Sequence, residues 1–394
     1  MLKLWTGEIQ ALRPASITSF IARICTNELL PTAARHREIL LLRSDIQQVP
    51  PGFRAYFVLH SEVEKLPESL PPNDVFVLPD NQYFLDAGDI VRFDATKLRM
   101  RTLFRRKSKH NSFLVTERCN NYCLMCSQPP KQIDDSYIVN EILESIPLMD
   151  RDTPEIGITG GEPTLLGDDL ITILRSLKNH LPHAALHILS NGRTFADKAF
   201  TAKVAAVAHP DMMIGIPIYS DISNLHDYVV QADGAFDETI RGILNLKRYK
   251  QRVEVRVVIH QQTYERLPQL AEFLARNLVF VDHVALMGLE MMGFTKANLD
   301  TLWIDPLEYQ PQLVQAVDTL RRYNMNVSVY NHQLCVLDKR LWDFAVKSIS
   351  DWKNEYMPEC APCSLKDQCG GFFSSAHLKY SQHIKPFTPT STGA

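Results

Sequence analysis

The chain has 394 residues, of which 45% are hydrophobic and 22% charged, with a formal net charge of −3. That length fits two or three domains, and the apolar content supports a large core, which excludes a disordered or low-complexity chain. The near-neutral balance gives no general drive toward nucleic acid or a membrane surface, and no apolar run is long enough to span a bilayer. The stretch Met1-Leu2-Lys3-Leu4-Trp5 lacks the apolar segment of an export signal, so the eight cysteines read as reduced thiols of a cytoplasmic protein, metal ligands before disulfides.

Residues 1–110 read as a β-rich domain. Short apolar runs at Ile39–Leu42, Ala55–Leu59, Val75–Leu78 and Ile90–Phe93 are bounded by turn formers such as Pro50-Pro51-Gly52 and Pro71-Pro72-Asn73-Asp74. This stretch holds 16 Lys+Arg against 12 Asp+Glu, a charge of +4, leaving −7 for the remainder. The excess gathers in Lys97, Arg99, Arg101, Arg105, Arg106, Lys107 and Lys109. It is either a solvated strand and linker or a docking surface for an acidic peptide or partner protein.

From 111 the rhythm changes. Strand-like runs at 113–116, 155–159, 185–189, 212–218, 253–259 and 284–287 alternate with amphipathic stretches near 137–148, 168–180, 195–207, 235–249 and 265–276. A further helix near 306–323 leads into 325–330. The expected class is α/β: a parallel sheet curled by right-handed crossovers into a partial (β/α)6 TIM-like barrel over 111–330, with a doubly wound sheet as the alternative. Residues 331–380 form a cysteine-bearing extension, and 381–394, rich in Pro, Ser and Thr, reads as a disordered tail. The polar motifs follow the strands: cysteines after the first, Gly160-Gly161-Glu162-Pro163 after the second, Ser190-Asn191-Gly192 after the third, Tyr219-Ser220 after the fourth, and His260-Gln261 after the fifth. Barrels build active sites at that end.

Cys119, Cys123 and Cys126 are spaced C-x3-C-x2-C. A cubane iron–sulfur cluster has four irons, so three thiolates leave one open to a small molecule; a partial zinc site is the alternative. Gly160 and Gly161 let backbone approach a ligand closely, and Glu162 beside them could receive an ammonium. Cys335, Cys360, Cys363 and Cys369 supply four ligands, enough for a closed site holding an iron–sulfur cluster or zinc. Cys25 stands alone as a buried apolar residue.

C-x3-C-x2-C after one strand with Gly-Gly-Glu-Pro after the next resembles the radical S-adenosylmethionine (SAM) enzymes over about 111–330. The resemblance implies a [4Fe–4S] cluster on Cys119, Cys123 and Cys126, with its open iron chelated by the amino and carboxylate groups of SAM. It implies a cofactor cradle at Gly160, Gly161 and Glu162, and reductive cleavage of SAM to a 5′-deoxyadenosyl radical that abstracts hydrogen from substrate. Met125 stands where the family usually has an aromatic residue. Ser190 and Asn191 fall where the family places ribose or carboxylate contacts, or else form a cap or turn. Arg256, in an apolar strand, wants a buried partner, either the cofactor carboxylate or a structural ion pair.

The C-terminal cysteines resemble the auxiliary-cluster extensions of the peptide-modifying branch, implying a second [4Fe–4S] cluster. His226-Asp227-Tyr228 resembles a segment of that branch and is either a polar loop or an acid–base site. The runs 119–130, 348–356 and 369–373 look like the His-Xaa-Ser system radical SAM maturase, HxsC type. That implies a small-protein substrate with His-Xaa-Ser repeats, a sister radical SAM maturase, an electron donor such as flavodoxin or ferredoxin, and a cross-link, thioether or epimer as product. A small-molecule or nucleotide substrate, and a non-catalytic iron–sulfur electron carrier or scaffold, are the competing readings.

Overall fold

The computed structural model describes residues 4–44, 46–347 and 355–388. The chain divides into two compact units, one comprising 1–113, 136–156 and 175–184, the other 114–135, 157–174 and 185–394.

The first unit holds an eight-stranded sheet in the order β1-β8-β7-β3-β4-β5-β6-β2. Its strands are β1 (Trp5–Thr6), β2 (Gln10–Ala11), β3 (Ser19–Cys25), β4 (Glu38–Leu42), β5 (Ala55–Leu59), β6 (Val75–Leu78), β7 (Ile90–Asp94) and β8 (Arg99–Phe104). The centre, β3 to β6, is parallel, and the flanks are antiparallel. The parallel centre explains why β4 and β6 read as unbroken apolar runs: both are buried along their whole length. Alternate residues serve two cores. Ile39, Leu41, Phe57, Phe76 and Phe93 face one, and Leu40, Leu42, Tyr56, Val58 and Val75 the other.

Much of the basic stretch is engaged within this unit. Arg101 and Arg92 both pair with the buried Glu141 of the helix Tyr137–Ser145. Arg106 pairs with Asp150, Lys107 with Asp86, and Arg105 lies over the Phe84 ring. Arg101, Arg105, Arg106 and Lys107 therefore each have a partner within this unit.

The second sheet runs β9 to β16 in chain order: β9 (Asn111–Leu114), β10 (Glu155–Thr159), β11 (Ala185–Leu189), β12 (Met212–Pro217), β13 (Arg252–Ile259), β14 (His283–Gly288), β15 (Val327–Tyr330) and β16 (Ala345–Val346). Pairing from β11 to β16 is parallel. A doubly wound sheet needs a reversal of strand order, and this order has none. Successive right-handed crossovers then keep the helices on one face, as in a partial barrel. Intervening helices at Lys198–Ala205, Ala235–Arg248, Leu267–Asn277 and Gln310–Arg322 fall where the 3.6-residue periodicity predicts them.

One sheet face is apolar and fully buried, with Ile158, Ile188, Ile214, Val253 and Val255 at 0% exposure. The other carries Glu254 and Arg256, two residues apart on β13 and so on the same side. Glu254 accepts from Arg256 Nη1 at 2.7 Å and meets His283 Nδ1 at 2.8 Å, with His187 Nε2 at 3.4 Å. Burial would push Glu254 up, but His187, His283 and Arg256 hold it well below the usual carboxylate range. No helix among the described residues is long and apolar enough to cross a membrane.

The first core depends on Phe93, whose ring lies 4.6 Å from Phe76, 5.1 Å from Phe57 and 5.9 Å from Phe20, all edge to face. Phe93→Ala should cost about 3–5 kcal/mol, read as a lower denaturant midpoint. A loss below about 1 kcal/mol would show that the cluster does not hold this unit together.

Candidate functional site

After β9 the chain turns sharply, and its backbone is fixed on several sides. Asp135 accepts from Thr116 Oγ1 (2.7 Å), the Glu117 N–H (2.6 Å) and Arg118 Nε (3.2 Å). Burial pushes its carboxyl up, and these bonds bring it below the ordinary value. The Gly161 N–H donates to the Thr116 carbonyl and the Glu162 N–H to the Arg118 carbonyl, both at 2.8 Å. A Cβ on Gly160 would stand 2.3 Å from the Thr116 oxygen, and one on Gly161 2.1 Å from the Arg118 oxygen. The two glycines are thus required because the start of the cysteine loop lies directly across them.

The far end of the loop is held by the segment after β14. The Phe294 N–H donates to the Cys126 carbonyl at 2.8 Å, Thr295 Oγ1 to Met125 at 3.2 Å, and Asn298 Nδ2 to Leu124 at 2.8 Å. Gly293, at φ +54°, lets the chain pass, since a Cβ there would come 2.2 Å from the Cys126 oxygen. The middle is anchored by the N–H groups of Tyr122 and Leu124 on the carbonyls of Val230 and Val229.

Cys119, Cys123 and Cys126 are free and only partly exposed. Burial pushes Cys119 up to about 11 and raises Cys123 and Cys126. Three thiols in such a place become thiolates together only beside compensating positive charge, which a metal or iron cluster provides. Among the described residues, no group of three Cys, His, Asp or Glu side chains is arranged to hold a single metal ion.

Glu162 is fully buried, and both its oxygens are in use. Oε1 accepts from the Thr164 N–H (2.9 Å), Thr164 Oγ1 (2.6 Å) and Ser190 Oγ (2.8 Å), and Oε2 from the Asn191 N–H (2.6 Å). Burial raises its pKa. The structure therefore brings together Glu162, Ser190 and Asn191. Ser190 Oγ also accepts the Gly192 N–H, and Asn191 Oδ1 the Arg193 N–H, so both shape the turn as well.

Sequence reasoning missed the next layer. Asn191 Nδ2 donates to Asn120 Oδ1 at 2.6 Å. Arg193 Nη1 donates to Asn120 O and Asn121 Oδ1, both at 2.7 Å, while its Nε donates to Glu238 at 2.6 Å. The paired asparagines inside the cysteine spacing were the available signal. Arg256 is placed apart from this cluster, in the ion pair with Glu254.

The four C-terminal cysteines line one recess of about 340 Å³, including its open mouth, with Lys385, Pro386 and Phe387 forming part of its wall. Burial raises Cys335, against a hydrogen bond from the Lys385 backbone, and raises Cys360. Residues 381–388 are not a free tail. The Ser364 N–H and Oγ both donate to the Phe387 carbonyl, at 2.7 and 2.9 Å, and the Phe387 ring meets Trp342 at 5.4 Å. One aromatic residue anchors a segment whose composition is otherwise that of a tail. Residues 389–394, and 348–354 of the run 348–356, lie outside the described residues.

Residues 113–274 match the Radical SAM superfamily. This segment is a radical SAM domain. The chain is 26% identical over 206 residues to the Fe-coproporphyrin III synthase of Methanosarcina barkeri, covering 50% of this chain and 49% of that one. It thus spans about half the length of the curated relative it matches. Among solved structures it is similar to Streptococcus suis SuiB bound to S-adenosylmethionine (TM-score 0.46, 16% identity, 58% of this chain and 51% of that one). It is also similar to native anSMEcpe with bound AdoMet (TM-score 0.42, 13% identity, 55% and 62%).

The radical SAM domain holds its three cysteines on a loop whose backbone hydrogen bonds are made within the protein. Gly161→Ala should dislodge that loop. Anaerobic reconstitution should then load less than about half the wild-type iron on the N-terminal cysteines, measured in a background lacking the C-terminal ones. Unchanged loading would show that the loop tolerates the displacement.

The domain also contains His226 and His260, which burial pushes down to about 4, as it does His332 further on. His226 Nδ1 accepts the Tyr219 N–H at 3.2 Å, the contact of a neutral structural histidine. The unfolded chain, near 6.5, binds protons more readily than the folded one, so stability falls as pH drops from 6.5 toward 4. The slope is at most about 1.4 kcal/mol per pH unit for each histidine. Denaturation midpoints should decline between pH 6.5 and 5, and the decline should be shallower in His260→Gln.

Proposed function

We propose that the protein is a radical SAM maturase of the peptide-modifying branch. The observation that carries this reading is the rigid loop of three free cysteines lying across Gly160 and Gly161. In it Cys119, Cys123 and Cys126 hold a [4Fe–4S] cluster with one open iron, and Gly160, Gly161, Glu162, Ser190 and Asn191 form the SAM side of the site. Such a cluster, reduced by an external donor, would supply one electron for SAM cleavage and so the power to abstract hydrogen from substrate.

The chain's own residues do the positioning. Glu162 ties the turn at 190–191 to the segment beside the cysteines, and Arg193 ties that turn to Asn120 and Asn121. Tyr219, Met125 and Leu302 pack in one apolar cluster around Cys123 and Leu124, which excludes water from that flank.

Cys335, Cys360, Cys363 and Cys369 are proposed to hold an auxiliary [4Fe–4S] cluster, with 331–380 as the extension that carries it. A cluster is favoured over zinc because the same chain already carries a cysteine loop suited to iron and electron chemistry. The HxsC-type resemblance supports a substrate with His-Xaa-Ser repeats, a sister maturase, a flavodoxin- or ferredoxin-like donor and a cytoplasmic setting.

Cys123→Ala should abolish 5′-deoxyadenosine formation from SAM and dithionite, and full activity in that variant would remove the assignment. Anaerobic co-expression with a His-Xaa-Ser repeat protein and the sister maturase should give a peptide lighter by two hydrogens for a cross-link or thioether. An epimer would instead show as deuterium uptake in heavy water. An unmodified peptide beside sustained 5′-deoxyadenosine formation would leave the radical chemistry and overturn the substrate.

A further inference from the structure

A cleft of about 620 Å³, including its open mouth, lies at the C-terminal ends of β13 and β14 and just beyond β15, where it meets residues 370–381. This is the same end of the sheet from which the cysteine loop departs. The two are separated by one stretch of chain, 289–304. Phe294, Thr295 and Asn298 in that stretch bond to the cysteine loop, whereas Met291 and Trp303 line the cleft. A group seated there stands one wall away from the proposed radical chemistry.

The lining has two properties. Among the described residues it contains no Asp, Glu, Lys, Arg or His, although it includes several aromatic residues and the amides Asn331 and Gln333. Charged groups stand nearby outside the lining: Glu290 and Asp305 each fall between two lining residues in the chain, the exposed Lys379 sits over the Trp303 ring at 5.5 Å, and the exposed Glu359 accepts from Tyr380 Oη at 3.3 Å. The cleft also contains Ser375, only 6% exposed, whose buried Oγ has no hydrogen-bond partner among the described residues. A buried hydroxyl left unpaired is costly, and a partner brought by a ligand recovers that cost.

We propose that this cleft receives one uncharged side chain of the substrate peptide, of carboxamide or aromatic size, with its polar tip hydrogen-bonded to Ser375. The inference rests on the reading of the protein as a peptide-modifying enzyme and names the side-chain class that reading leaves open. A carboxylate or phosphate entering the cleft would lose its water and meet no cation among the described lining residues, so anionic small molecules are selected against.

The test uses the full-length, cluster-loaded protein with SAM and six capped pentapeptides, Gly-Gly-Xaa-Gly-Gly, with Xaa as Asn, Tyr, His, Phe, Asp or Lys. Binding is followed at pH 8 by saturation-transfer NMR. The Asn, Tyr and His peptides should bind at least tenfold tighter than the Asp and Lys ones. Ser375→Ala should weaken the Asn and Tyr peptides by about five- to tenfold and leave the Phe peptide unchanged. Ser375→Asp should move the preference toward Lys.

Equal binding of the Asp and Asn peptides would overturn the proposal, as would tight binding of the tetra-anionic coproporphyrin III in competition with them. Equal weakening of Phe and Tyr by Ser375→Ala would do the same. 5′-Deoxyadenosine is measured in the same samples. Its formation without side-chain preference sinks this inference alone, and its absence with SAM and reductant sinks the enzymatic reading beneath it.

Discussion

Two hydrogen bonds hold the site in shape: Gly161 N–H to the Thr116 carbonyl and Glu162 N–H to the Arg118 carbonyl. They bring the cysteine loop closer to the strand end than any side chain would allow, and both glycines are consequences of that approach. Everything else at the sheet's C-terminal end is registered from this contact. Asp135 fixes the loop's entry, Gly293 its exit, and Glu162 carries the register across to Ser190 and Asn191. A cluster placed on these cysteines would not need to organise the chain, because the backbone is already satisfied. A preorganised first layer loses little freedom on binding.

The sheet that presents this end was legible wherever one face alternates. β10 and β11 match the expected runs 155–159 and 185–189, because apolar residues two apart fill the helix-covered face. β9 was misread by two residues. It ends at Leu114 because Thr116 turns its hydroxyl to Asp135, and no periodicity records a side chain 19 residues away. The parallel centre of the first sheet was likewise hidden, since strands buried on both faces lose the period-two signal.

The site divides in the same way. The cysteine loop and the glycine pair across it were legible because their spacing is local. Arg193 was not, since an arginine after a turn is ordinary until the fold sets it between Asn120, Asn121 and Glu238. The bracing role of the Glu162 carboxylate was not legible in the linear sequence. In three dimensions it accepts four hydrogen bonds from Thr164, Ser190 and Asn191, and works as a brace between two loops.

The wall that Lys385, Pro386 and Phe387 give to the C-terminal cysteine cavity has a consequence for biogenesis. These residues leave the ribosome after all seven cysteines of the two sites. The loop at 119–126 draws its contacts from residues up to about 302, all of them earlier in the chain than the second cavity's walls. The second cavity's last wall arrives some twenty residues after Cys369 is synthesised. The contacts of the first loop are thus synthesised well before Lys385, Pro386 and Phe387, which supply the last wall of the second cavity.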